Sequence, residues 1–157
     1  METTTAKAIE LFRSGNNCAQ SVLKAFAPLI NFSEYDALRT ASAFGGGMGR
    51  LQLTCGVLTG AYMAIGIRFG KTTPEDTESN DLTISLVKKL TKEFKQKHGC
   101  TGCRELLEAD MNTEEGRRFI EINDLKFQRC ERYVETACNV LSEILQTTPI
   151  EDKKRNG

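Results

Sequence analysis

Apolar positions in this chain recur at three- and four-residue intervals, the period of helices, with no sustained two-residue alternation of the kind strands show. Residues 3–13 set Ala6, Ile9, Leu11 and Phe12 near one face before Ser14-Gly15-Asn16 interrupts. Asn17 is then a good N-cap, and Gln20, three residues on, completes a capping-box pattern. A second helix is therefore expected over 18–27, with Pro28 helping to end it. Ser33 caps a third, running to about residue 44 along Leu38, Ala41 and Phe44.

The most apolar run follows a glycine-dense loop containing Gly45, Gly46, Gly47 and Gly49. Thr54 is positioned to cap a helix over 55–69, which Gly70 closes. Inside it Gly56, Gly60 and Ala64 form a small-residue ridge at four-residue spacing, where another backbone can come close. Residues 71–80 are polar and read as a connection with a cap near Asn80. A long helix over 81–97 carries Leu82, Leu86, Leu90 and Phe94 as one stripe, and Gly99 stops it. A short helix begins near Cys103. Residues 108–124 are highly charged and leave loop and helix both open. A last helix over 125–145 turns Phe127, Cys130, Val134, Ala137, Leu141 and Ile144 inward. The expected fold is all-α: a single-domain multi-helix bundle over 1–147, with a glycine-rich loop before a buried central helix and a disordered tail over 148–157.

The apolar run meets Arg68 after about a dozen residues, short of the ~20 a bilayer requires, so a buried core helix is expected and no membrane insertion. Formal net charge is zero, which gives no bulk attraction to nucleic acid. The N-terminal stretch lacks the long apolar segment of a secretory signal, so the expected compartment is cytoplasmic. In a reducing compartment, six cysteines point to redox or metal chemistry more than to a disulfide framework.

Cys18, Cys55 and Cys103 each fall at an expected helix start, where unpaired N–H groups and the positive end of the helix dipole favour a thiolate. Cys100 and Cys103 form a C-x-x-C, but without the βαβ setting of a thioredoxin or the second C-x-x-C of a zinc ribbon. Cys138 suits the apolar stripe of the last helix as a small core residue. His98, the one histidine, is expected exposed at a helix end. The glycine loop lacks the Lys-Ser/Thr of a P-loop. Its expected use is close backbone approach to Cys55 and access for a substrate or anion, shared with Thr54, Gly56 and Gly60.

Asn17-Cys18-Ala19-Gln20, FGGGMGR before TCGVLTG, the GCTGCREL stretch and a late helical cysteine together resemble the C-GCAxxG-C-C family of redox-active proteins. These are small bacterial and archaeal proteins with four characteristic cysteines and a CGAxxG signature. The resemblance runs over about residues 8–145. It implies that the four cysteines are Cys18, Cys55, Cys103 and Cys130, with Cys100 and Cys138 additional. Val57 stands where the signature has alanine, while Cys55, Gly56 and Gly60 are kept. The implied role is redox, without a defined substrate.

Three functions follow as expectations. In the first, the protein is a thiol-based redox protein, an oxidoreductase if it is an enzyme at all, with Cys18 and Cys55 exchanging between dithiol and disulfide against an unidentified redox partner. Cys103 and Cys130 form a second pair or relay. In the second, Cys18, Cys55, Cys103 and Cys130 hold an iron–sulfur cluster or another thiophilic metal. In the third, the chain is a helical interaction module with its cysteines as core filler. Its apolar stripes would equally serve a homodimer interface. No paired carboxylates, Ser-His-Asp order or nucleotide fingerprint supports a hydrolase or kinase.

Overall fold

The computed structural model describes residues 1–150. Among these, the fold is all-α: helices α1 (Thr4–Arg13), α2 (Cys18–Phe26), α3 (Glu34–Ala41), α4 (Gly56–Phe69), α5 (Thr77–His98), α6 (Cys103–Leu107), α7 (Glu114–Ile122) and α8 (Glu131–Thr147). The expected disordered tail over 148–157 falls, from residue 151 onward, outside the described residues. No helix among the described residues is long and apolar enough to cross a membrane.

The centre of the bundle is α4, apolar on nearly every side, with Ile67 exposed near its end. It packs along α2, α5 and α8, while α1 lies against α2 and α8, and α3 against α2. Phe26, Leu58, Ile65, Leu90, Phe94 and Leu141 are fully buried between them, each contributing roughly 1.5–3 kcal/mol by removal from water. The small-residue ridge is where α4 meets α2. A Cβ on Gly60 would come within 2.8 Å of the Ala19 carbonyl oxygen, so the two backbones touch with no side chain between them.

Several local expectations hold for the reasons given. Asn17 Oδ1 accepts from Gln20 N–H at 2.8 Å, and Gln20 Oε1 accepts from Asn17 N–H at 3.1 Å, closing the capping box at α2. Ser33 caps α3, and Gly99, at φ +87°, ends α5. Leu86, Leu90 and Phe94 are buried as one stripe of α5.

Others are corrected. Helix α5 starts at Thr77, because Asp76 Oδ1 accepts from Ser79 N–H at 3.0 Å and caps it before the expected position near Asn80. Of the loop and helix left open for 108–124, residues 114–122 take the helix, α7, capped by Thr113, whose Oγ1 accepts from Gly116 N–H at 2.9 Å. Thr54 does not cap α4. Cys55 N–H donates to Thr101 O at 2.8 Å and Cys103 N–H to Leu53 O at 2.7 Å, which holds Thr54 opposite Gly102 in a short antiparallel bridge. The chain stays extended through Thr54, and Cys55 itself occupies the N-cap position. The last helix is not regular from residue 125: Lys126–Cys130 is a π-helical turn that leads into α8. Its wider winding shifts the helix face, so Phe127 is exposed instead of inward.

Candidate functional site

Four cysteines converge, each from the end of an element. Cys18 opens α2, Cys55 caps α4, Cys103 opens α6, and Cys130 closes the π turn at the head of α8. Every pair among them is close enough for the charge on one thiolate to disfavour the other. Cys55 feels Cys18, Cys103 and Cys130; Cys130 feels Cys18 and Cys103; Cys18 feels Cys103. All four are free thiols. Cys138 is fully buried in the core with no thiol neighbour affecting it, and none of the four thiols affects Cys100.

The backbone between Phe44 and Cys55 explains how these thiols reach one another. Gly46, Gly47, Met48, Gly49 and Arg50 have φ of +64°, +68°, +65°, +57° and +60°, a continuous left-handed run, and Gln52 follows at +56°. Such a run is rare for L-residues, costing roughly 1–2 kcal/mol for each non-glycine. Three non-glycines, Met48, Arg50 and Gln52, take it here. Long backbone bonds offset the strain: Gly49 N–H to Ala43 O at 2.7 Å, Gln52 N–H to Gly46 O at 3.0 Å and Leu53 N–H to Gly47 O at 2.9 Å. The coil turns Gly47 inward, where a Cβ would lie 2.7 Å from the Cys103 Cβ. Gly56 meets Cys18 in the same way, at 3.0 Å from its Cβ. The glycines are thus spacers that bring Cys103 and Cys18 against the start of α4, the close approach that the sequence suggests.

Gln52, which sequence reasoning passed over, is the polar anchor of this corner. It is buried, and its Nε2 donates to Ala109 O at 2.8 Å. Its Oε1 accepts from Met111 N–H at 2.9 Å. Its side chain also lowers the pKa of the Cys103 thiol, against the larger effect of burial. The sequence offers no signal for it beyond a polar residue set between Leu51 and Leu53. Lys126 of the π turn was missed too. It is exposed, and its charge favours the thiolates of Cys18 and Cys130.

The expected lowering of the helix-start thiol pKa values does not occur. Burial pushes Cys18 up to about 11, with the Cys103 charge adding to it. It pushes Cys55 and Cys130 far above the ordinary thiol range, and Cys103 upward by a smaller step that Gln52 opposes. Desolvation wins over the helix ends, and all four thiols rest protonated at neutral pH. His98 is likewise not a loose helix-end residue. Its Nε2 lies 2.9 Å from Thr136 Oγ1, and its ring packs against Phe94 and Tyr133. Burial lowers its pKa, keeping it neutral.

The four thiols are a donor set a thiophilic metal could take. Among the described residues, however, no three His, Cys, Asp or Glu side chains are arranged so that they could hold an ion. No curated protein and no solved structure matches the chain. Residues 16–144 match the family described as "Putative redox-active protein (C_GCAxxG_C_C)", a match that spans all four converging cysteines, and the chain belongs to that family.

Proposed function

We propose that the protein works as a thiol redox protein whose couple is drawn from Cys18, Cys55, Cys103 and Cys130. The observation that carries this reading is the mutual electrostatic contact of all four free thiols, delivered by four separate elements. Cys18 is the attacking thiol: it is half-buried where Cys55 and Cys103 are buried, and Lys126 favours its thiolate. Once deprotonated, its sulfur attacks a disulfide of the partner. The partner's S–S bond breaks, and a mixed disulfide forms. Cys55, losing its proton, then displaces the second partner sulfur and closes the Cys18–Cys55 bond. The partner gains two electrons and two protons, and the protein loses both. Cys103 and Cys130 supply a second pair beside the first.

The second reading, a four-cysteine iron–sulfur or other metal centre, is favoured by the same convergence and opposed by the spacing of the donors. One experiment separates the two. Protein purified without oxygen is examined by visible absorption, elemental analysis and a free-thiol count, then treated with diamide, a two-electron thiol oxidant. The expected result is colourless, metal-free protein that loses thiols in pairs, with peptide mapping placing each disulfide among Cys18, Cys55, Cys103 and Cys130. Stoichiometric iron with broad visible absorption, or oxidation that leaves these four reduced, would overturn the redox-couple reading.

A further inference from the structure

The sixth cysteine of interest, Cys100, lies outside the converging group and lines a surface cleft of about 470 Å³ with its own chemistry. That volume falls within the roughly 300–1,000 Å³ of small-molecule sites. One wall is rigid and neutral: His98, held by Thr136, and Tyr133, whose hydroxyl donates to Leu106 O at 3.1 Å. Tyr133 also neighbours the converging thiols, since the charges of Cys130, Cys55 and Cys100 all reach it. The other lining groups are charged. Arg129 Nη1 takes every contact of that side chain among the described residues: Leu106 O and Leu107 O, both at 3.2 Å, and Glu108 Oε2 at 2.8 Å. Its Nη2 and Nε are left for a ligand. Glu105 is exposed at the rim, with no ion pair among the described residues, and its charge reaches Cys100.

A guanidinium edge, an uncommitted carboxylate and a thiol in one cleft match a particular chemistry. We infer that this cleft binds the disulfide of a small zwitterionic thiol, of which cystine is the smallest, and that Cys100 forms a mixed disulfide with it. The ligand's carboxylate pairs with Arg129 in the planar, two-donor manner guanidinium allows. Its ammonium pairs with Glu105. The Cys100 thiolate attacks the nearer ligand sulfur. The Cys100–ligand S–S bond forms and the ligand's own S–S bond breaks. The departing half leaves as a thiolate that takes a proton from solvent. Cys100 is oxidised and the released half reduced, so the step needs no further reagent. The ligand's charge assists the attack. Burial chiefly, and then Glu105 and Glu108, hold the free Cys100 thiol above its ordinary pKa, and a bound ammonium neutralises part of that carboxylate charge.

The test compares three symmetrical disulfides on the full chain: cystine, cystamine, which lacks the carboxylates, and dithiodipropionate, which lacks the ammonium groups. Adducts are followed by intact mass and located by peptide mapping. Cystine is expected to modify Cys100 about ten-fold faster than either analogue, the worth of one charge-assisted hydrogen bond. Arg129→Gln should bring cystine down to the cystamine rate, and Glu105→Gln to the dithiodipropionate rate. The comparison among ligands on unaltered protein stands even if a variant misfolds. Equal rates for the three disulfides at Cys100, or no adduct at Cys100, would overturn the inference. The adduct is read at Cys100 itself, so this result is independent of whether Cys18 and Cys55 oxidise.

Discussion

Titration of Cys18 is the sharpest check on the buried-thiol picture. Burial, with a further push from Cys103, raises this thiol from the ordinary 9.0 to about 11. At pH 8 a thiol of pKa 9 is about one-tenth ionised, and one of pKa 11 about one-thousandth, a difference of roughly a hundred-fold in the reacting species. Iodoacetamide labelling, mapped residue by residue, should therefore find Cys18 about a hundred-fold slower than an unstructured cysteine at pH 8, with a rate still climbing past pH 10. Lys126→Gln should push the midpoint higher, because the Lys126 charge lowers it. The same shift has a stability consequence whose sign is fixed. The folded chain holds the Cys18 proton more tightly than the unfolded chain, so the contribution is fully present below pH 9 and is lost as pH rises toward 11. Two units correspond to at most about 3 kcal/mol. Urea unfolding at pH 8 and pH 10.5 should thus show a larger alkaline loss in the parent protein than in Cys18→Ser. A labelling plateau below pH 9, or identical alkaline losses in the two proteins, would refute the reasoning.

Two further outcomes test the geometry that gathers the thiols. Gly47→Ala places a Cβ under 3 Å from Cys103 Cβ, Leu53 N and Gln52 Cα at φ +68°, whereas Gly49→Ala at φ +57° meets nothing closer than 3.9 Å. Denaturant unfolding should show a loss of about 1 kcal/mol for Gly49→Ala, strain alone, and at least about 2 kcal/mol more for Gly47→Ala, with altered labelling of Cys103 in the latter. Asn17→Ala removes the α2 cap and the Nδ2 contact to Ser42 O at 3.1 Å, and should cost about 1–2 kcal/mol by the same measurement. Asn17→Asp keeps the cap acceptor and should lose less.

How much of this could be read from the residues depends on the range of the interaction responsible. The Asn17–Gln20 box, the Ser33 cap, the Gly99 stop and the α5 stripe are set within a few residues, and the sequence shows them. The ridge of Gly56 and Gly60 is legible as small residues. That it receives Cys18 and Ala19 is a fact of packing. Thr54 misled because its neighbours bond to Thr101 and Cys103, nearly fifty residues away, and no local signal competes with a threonine before a helix. Glycines announce a turn, but Met48, Arg50 and Gln52 do not announce that they will share its left-handed winding. Gln52 and Lys126 act across the fold and carry no motif. The pKa error has the same origin. A helix start is visible in sequence, whereas the exclusion of water around it is not.

The same balance bears on the redox couple proposed above. The helix dipole is worth roughly 0.3–1 kcal/mol to a charge at its first turn. Moving the Cys18 pKa by two units the other way takes nearly three times the upper figure, so burial prevails at Cys18 and prevails further at Cys55 and Cys130. A dithiol becomes strongly oxidising when the protein stabilises its thiolate, because that stabilises the reduced form. Here no such stabilisation operates at neutral pH. A couple built from these cysteines should therefore sit toward the reducing end of the range of protein dithiols, near or below the roughly −270 mV of a thioredoxin. It should donate electrons to disulfides and not insert disulfides into other chains. Equilibration against dithiothreitol and glutathione buffers measures this directly. A potential near the roughly −120 mV of a strong dithiol oxidant would mean that the thiolate is stabilised after all, and that charge, not desolvation, governs the site.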